Sequence, residues 1–276
     1  MTRIVNNCVA LVCLCLFWGQ SLRAADASHS EQIKWGNESV FNEEHNTLGL
    51  FSGVLGGQIV LAGGTSDDYS RWGRNAVCLS ENAGFALYED MLSKPLAYGA
   101  SITLSDGILC IGGRDSSQCY EDVFFVTMQQ GKLNVSEDWP PLPFPLSNAA
   151  GALLDNKVYL FGGRKSVSPS RLSDSFFVLD LSNKSRGWKE LPGYPGCVRE
   201  DAILVVQNNG VSPCLYLLGG QTETEEGLSS CLTDGYVYNP QLGKWSSLGS
   251  DFPKGICAAV ASGANHILLF QMFQGA

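Results

Sequence analysis

The 276-residue sequence predicts an all-β protein built as a ring of four-stranded blades, a β-propeller. Three observations predict it. An apolar run ends in a Gly-Gly pair four times, at Gly63-Gly64, Gly112-Gly113, Gly162-Gly163 and Gly219-Gly220. The steps between pairs are 49, 50 and 57 residues, and self-similarity at that period marks a repeat architecture. The apolar runs are short and punctuated by Gly, Pro and Asn, with no sustained helical period. A β-sandwich has no reason to keep this period.

Each repeat supplies the same elements in order. A small-residue strand begins about fourteen residues before the first Gly, at residues 50–53, 99–102 and 149–152. A tight turn such as Ser105-Asp106-Gly107 or Asp155-Asn156-Lys157 follows, with the residue chemistry of a hairpin. The apolar second strand ends in Gly-Gly, where positive φ and close backbone approach favour glycine. A third strand comes at residues 122–126, 175–179 and 235–238, and an outer strand carries Phe85, Trp188 or Trp245. The roughly 50-residue unit is that of a kelch blade. The predicted fold is therefore a kelch-type β-propeller with about four complete four-stranded blades plus a partial fifth.

The fifth repeat has a first strand at residues 257–260 and a second at 266–270, and then reads Gln271-Met272-Phe273 where Gly-Gly is due. Ile33-Lys34-Trp35 reads as a lone outer strand, matching Trp188-Lys189-Glu190. The expectation is a six-bladed parent and a chain incomplete at its C-terminus, with self-association into a homo-oligomer through exposed strand edges.

Residues 1–27 read as a secretory signal. Arg3 gives a basic start, residues 8–18 are an apolar run too short to span a bilayer, and Ala25-Asp26-Ala27 fits a cleavage site. Residues 28–276 are then an exported propeller domain, periplasmic or extracellular. The formal net charge of −9 argues against nucleic acid or an anionic membrane surface as partner. Seven of the ten cysteines lie beyond the signal; Cys110 and Cys257 read as small buried apolar residues, and a disulfide such as Cys214 with Cys231 stays open. No Cys/His spacing suits a metal. The three histidines, His29, His45 and His266, lie off the predicted entrance loops, which excludes a copper oxidase site. No cofactor is expected.

From residue 48 to 270 the chain resembles the cyclically permuted mutarotase family, relatives of bacterial N-acetylneuraminate epimerase. The segments that carry the resemblance include Lys94-Pro95-Leu96-Ala97-Tyr98-Gly99, Cys119-Tyr120-Glu121-Asp122, Pro195-Gly196-Cys197-Val198-Arg199 and Val206-Gln207-Asn208-Asn209-Gly210. The chain departs from it after the first Gly-Gly, where Thr65-Ser66-Asp67-Asp68 replaces an Ala-Asn-Phe-Pro-like loop. The resemblance implies an isomerase that interconverts anomers of sialic acid. It also implies an acid/base carboxylate in a segment beyond the fifth Gly-Gly, which this sequence lacks.

Strand order says which residues face the site. In an up-and-down blade, the loop entering strand one and the loop leaving strand two open on one face. The first set is Gly49, Tyr98, Asn148 and, allowing six extra residues in the Gln-Asn-Asn-Gly turn, Arg199; the second is Thr65, Arg114, Arg164 and Gln221. Arg114, Arg164 and Arg199 thus gather on one rim, and arginine's planar fork suits a carboxylate such as that of sialic acid. The resemblance also matches Arg199 to a family arginine. Tyr98 and Asn148 are further substrate-binding candidates, and Glu200 and Asp201 are the candidate catalytic carboxylates. Two functions stay open: a sialic-acid mutarotase or epimerase, inactive if the missing segment is essential, and a non-catalytic kelch module that binds a protein or glycan.

Overall fold

The computed structural model describes residues 48–80, 84–224, 226–249, 260–263 and 267–270. The expected signal, the lone strand at Ile33-Lys34-Trp35 and Cys257 lie outside the described residues.

The described chain is all-β apart from a short 3-10 segment at Leu181–Arg186. Four antiparallel sheets follow one another. The first contains β1 (Phe51–Leu55), β2 (Gln58–Ala62), β3 (Ala76–Ser80) and β4 (Gly84–Tyr88), and the second β5 (Ala100–Thr103), β6 (Ile108–Ile111), β7 (Val123–Gln129) and β8 (Lys132–Ser136). In the third, β9 (Ala150–Leu154), β10 (Lys157–Phe161), β13 (Phe176–Asp180) and β14 (Lys189–Glu190) pair in that order around an inserted ribbon, β11 (Arg164–Ser166) with β12 (Arg171–Leu172). The fourth repeats the plan: β15 (Ile203–Asn208), β16 (Pro213–Leu218), β19 (Gly235–Asn239) and β20 (Lys244–Gly249), with the ribbon β17 (Gln221–Glu223) and β18 (Ser229–Cys231). A fifth hairpin pairs β21 (Val260–Gly263) with β22 (Ile267–Phe270).

The first strands β1, β5, β9, β15 and β21 lie side by side, each beside the next, which is how propeller blades meet around an axis. The second strands are apolar along their length because neighbouring blades cover both faces, and β6 is buried at all four residues. The core accordingly sits between blades. Phe51, Val60 and Cys78 of the first pack with Ile108, Cys110 and Phe124 of the second. Tyr159, Phe161 and Phe176 of the third pack with Leu215, Tyr236 and Tyr238 of the fourth. Fully burying one such side chain contributes about 1.5–3 kcal/mol.

The Gly-Gly pairs are clips between blades. The N–H of Gly64 donates to the Leu96 carbonyl on the way into the next blade over 2.8 Å, and Gly113 to Leu146 and Gly163 to Arg199 do the same. At Gly63, φ is +69° and a Cβ would stand 2.2 Å from that same Leu96 oxygen. A side chain is thus excluded both by conformation and by the neighbouring backbone.

Two expectations need correction. Trp188 does not lie in an outer strand. It precedes β14 and donates its indole N–H to the Pro140 carbonyl of the preceding blade. Cys231 is disulfide-bonded, but not to Cys214, which is a free, buried thiol in β16 opposite Gln207 of β15.

Candidate functional site

One face of the ring is defined by a repeated backbone device. Leu48 bridges Thr65, Ala97 bridges Arg114, Ser147 bridges Arg164 and Glu200 bridges Gln221, just beyond the first two strands of each blade. The next residues, Gly49, Tyr98, Asn148 and Asp201, all take left-handed φ, at 64°, 60°, 56° and 52°. They hand one hydrogen bond around the axis. Tyr98 N–H donates to the Gly49 carbonyl (2.7 Å), Asn148 N–H to Tyr98 (2.7 Å) and Asp201 N–H to Asn148 (3.0 Å). Asn and Asp tolerate this conformation, whereas a tyrosine there is strained, and such strain collects at functional sites. Tyr98 is accommodated because its ring lies against Gly49, where a Cβ would stand 2.9 Å from it.

The ring corrects the place of Arg199. Asp201, not Arg199, is the fourth-blade counterpart of Tyr98 and Asn148. Arg199 corresponds to Leu96 and Leu146, whose carbonyls receive the same inter-blade bond. Its side chain is 0% exposed and points into the core rather than to the rim. There Nη1 and Nη2 donate to the two Asp234 carboxylate oxygens (2.7 and 2.8 Å), Nη1 also to the Gly219 carbonyl (2.8 Å), and Nε to the Tyr194 hydroxyl (2.9 Å). The guanidinium stacks against the Tyr194 and Tyr236 rings. This arginine braces blade four and has no donor geometry left for a ligand at the entrance.

The other candidates do meet at the entrance. Asp201 accepts from Asn148 Nδ2 on Oδ1 (2.9 Å) and from Gln221 Nε2 on Oδ2 (2.8 Å). Burial pushes its carboxyl above the ordinary carboxylate range, with neighbouring Glu200 adding to the shift and the two amides opposing it. Arg164 is neutralised by Glu200, with Nε to Oε2 at 2.8 Å and Nη2 to Oε1 at 2.5 Å. Nη2 also reaches Glu223 on the β17–β18 ribbon at 3.1 Å, and Ser170 joins both. The Glu200 hydrogen bond holds the guanidinium firmly in its charged form. Glu200 is only 4% exposed and fully engaged in that pair.

Arg114 is the different one. Its guanidinium carbon lies 4.7 Å from the Tyr98 ring centroid and 5.1 Å from that of Trp72, Nη1 donates to the Asp115 carbonyl over 3.4 Å, and among the described residues it makes no ion pair. Tyr98 in turn sits within the fields of both Arg114 and Asp201, and its phenol is pushed up first by burial and then by the hydroxyl of Tyr69. The entrance therefore offers a cation with no ion pair among the described residues, a half-buried carboxyl raised above its ordinary range, and an aromatic wall. Sequence reasoning missed Tyr69, Trp72 and Glu223. The aromatic pair was visible in the Tyr69-Ser70-Arg71-Trp72 run after the first Gly-Gly; Glu223 arrives on a ribbon with no repeat signature. Among the described residues, no group of three or more His, Cys, Asp or Glu side chains has metal-holding geometry.

Fold and site together define a kelch-type propeller with a polar, carboxylate-bearing entrance on one face. The family model for N-acetylneuraminate epimerase matches residues 139–272. The N-acetylneuraminate epimerase of Yersinia pestis (strain Pestoides F) is 30% identical over 139 residues, 49% of this chain and 33% of that protein. That of Haemophilus influenzae (strain PittEE) is 31% identical over 131 residues, 48% of this chain and 32% of that protein. A kelch domain-containing protein of Vibrio cholerae is 31% identical over 121 residues. The solved structure of YjhT superposes with a TM-score of 0.64 at 15% identity, covering 80% of this chain and 76% of that one, and so shares the fold. The chain is thus a kelch propeller similar in sequence to the N-acetylneuraminate epimerases, with a matched stretch about a third as long as the epimerases it matches.

Proposed function

We propose that the protein is an exported mutarotase-like isomerase that binds a carboxylate-bearing sugar of the sialic acid class at this entrance and interconverts its anomers. The observation that carries the reading is that Arg114 stacks on the Tyr98 ring while Asp201, two steps further along the same hydrogen-bonded ring, acts electrostatically on the same phenol. Arg114 presents a planar fork to the ligand carboxylate. Asp201, in its ionised form, removes the proton of the anomeric hydroxyl. The oxygen's electron pair forms the carbonyl, the bond from anomeric carbon to ring oxygen breaks, and the ring oxygen takes a proton from water. Rotation about the exposed carbon–carbon bond presents the other face. The ring hydroxyl then attacks and returns its proton to water, while Asp201 gives its proton to the new anomeric oxygen. A carboxyl that burial raises above its ordinary range suits both halves of that exchange. Export is part of the same reading and is supported by the signal-like residues 1–27.

Calorimetric titration with N-acetylneuraminic acid tests the site. Saturable binding that falls with Arg114→Gln supports it, and absence of binding by the parent protein contradicts it. A non-catalytic glycan-binding module is the second reading, favoured by the engagement of Glu200 with Arg164, which ties up one of the two candidate catalytic carboxylates in an ion pair.

A further inference from the structure

The blade-one loop after the first Gly-Gly pair is braced by its own side chains. Asp68 Oδ1 accepts from Ser66 Oγ (2.6 Å), from Ser70 Oγ (2.8 Å) and from the Ser70 N–H (3.1 Å). Ser66 Oγ accepts from the Arg71 N–H (3.0 Å), and Thr65 Oγ1 donates to the Arg71 carbonyl (2.8 Å). The Trp72 indole N–H donates to the Tyr69 carbonyl (3.1 Å). These bonds hold Tyr69 at a φ of 58°, a conformation rare for a bulky residue, and leave the residue 51% exposed. A loop built only to connect strands has no reason to strain a tyrosine in order to expose it.

The displayed rings are continuous with the cation. The Tyr69 and Trp72 centroids lie 6.5 Å apart, those of Trp72 and Tyr98 6.4 Å, and Tyr98 donates its hydroxyl to Tyr69 over 3.4 Å. Arg114 stacks against Trp72 and Tyr98 at the inner end of this row. Aromatic rings with a polar tip suit ligands that are apolar on one face and wet on the other. A pyranose ring is such a ligand, with axial C–H bonds on one face and hydroxyls around the edge.

We propose that residues 65–73 form a second subsite, a platform on which Tyr69 and Trp72 take the apolar C–H face of a pyranose ring while Arg114 holds the carboxylate of the same sugar. The proposal rests on the anionic-sugar reading above and adds to it the part of the ligand that carries no charge. It also gives Arg114, which has no ion pair among the described residues, a counter-charge. A carboxylate laid against that fork brings its attached ring over the aromatic row.

Saturation-transfer NMR with irradiation of the protein's aromatic protons tests it, using three probes: N-acetylneuraminic acid, pyruvate as a carboxylate without a ring, and methyl β-galactoside as a ring without a carboxylate. Tyr69→Asn keeps a residue that tolerates the left-handed turn and removes the ring; Trp72→Leu removes the second ring and keeps an apolar side chain. Each is expected to weaken N-acetylneuraminic acid by about three- to tenfold, the scale of an aromatic contact, and to erase saturation of its ring protons. Pyruvate binding is expected to stay unchanged in Tyr69→Asn, to fall less than N-acetylneuraminic acid in Trp72→Leu, whose ring also supports Arg114, and to fall in Arg114→Gln. Equal losses for pyruvate and the sugar acid, or no loss in either variant while Arg114→Gln still abolishes binding, overturns the platform and leaves the carboxylate site standing. If the parent protein ignores N-acetylneuraminic acid, the anionic-sugar reading fails. Methyl β-galactoside then decides the platform: saturation lost in Trp72→Leu supports it, and silence overturns it.

Discussion

The Asn148 side-chain amide donates to Asp201 Oδ1 over 2.9 Å, across the seam between the third and fourth blades. The bond runs parallel to the backbone bond between the same two residues, Asp201 N–H to the Asn148 carbonyl. Side chain and backbone thus fix the Asp201 carboxyl together at a point where burial disfavours its charge.

That arrangement has a pH signature. The folded pKa of Asp201 lies above its ordinary value of 3.8, so between the two values the folded state binds more protons than the unfolded chain. Its linked stability is complete below pH 3.8 and is lost as pH rises through the folded pKa. In Asp201→Asn this contribution to the pH dependence is expected to vanish. Urea unfolding of parent and variant across acid to neutral pH checks it; identical pH dependences contradict the buried carboxyl.

Arg199 leads to the opposite kind of experiment. Its removal leaves the part-buried Asp234 with the Tyr236 hydroxyl (2.9 Å) but no counter-charge, and breaking a buried pair costs about 3–5 kcal/mol. Arg199→Ala is expected to lose stability on that scale while folded protein binds sugar acids as the parent does. Burial acts to raise the Asp234 carboxyl, but hydrogen bonds and charge from Arg199 outweigh it and hold the group below its ordinary range. The stability it contributes is therefore present above pH 3.8 and lost as pH falls through the depressed value. Denaturant midpoints against pH, beside a binding isotherm, separate this role from recognition. Full stability with lost binding would return Arg199 to the rim.

The clips between blades predict a contrast among glycines. Gly63→Ala forces a Cβ toward the Leu96 carbonyl at positive φ, while Gly56, at φ +56°, has nothing within 4 Å of the same position. Both substitutions carry left-handed strain of about 1–2 kcal/mol. Gly63→Ala is expected to cost clearly more, because the inter-blade bond from Gly64 must shift as well. Equal losses in urea unfolding contradict the clip.

The fold was legible because this clip recurs. A position that needs both left-handed backbone and contact with a neighbouring carbonyl accepts only glycine, so the pair recurs in four repeats while the loops between differ. The buried second strands were legible for a similar reason, since cover on both faces leaves no place for a polar residue. The site was legible in three blades, where Gly49, Tyr98 and Asn148 each stand fourteen residues before the first Gly of the pair. It failed in the fourth, where Asp201 stands eighteen before Gly219 because β15 and β16 each extend to six residues around their turn. Allowing six extra residues rather than four selected Arg199 and passed over Asp201. The pairing of Arg164 with Glu200 and Glu223 was hidden because ribbon insertions follow no period. Of the three expected rim arginines, one is core, one is neutralised and one has no ion pair among the described residues, distinctions set by partners distant in sequence.

The third yields a recognition test. Arg114→Gln is expected to weaken N-acetylneuraminic acid by about 1.5–3 kcal/mol, the scale of hydrogen bonds to a charged group. Methyl β-galactoside should hardly change. Comparable losses for the neutral glycoside assign Arg114 to loop structure instead.

The most direct measurement is exchange NMR between the anomers of N-acetylneuraminic acid at neutral pH. It compares buffer, the parent protein and Asp201→Asn. The account predicts that the parent accelerates exchange above buffer and that Asp201→Asn loses about 10²-fold or more of that acceleration, the contribution of a positioned acid/base group. Exchange at the buffer rate with the parent protein, or at the parent rate with Asp201→Asn, contradicts it.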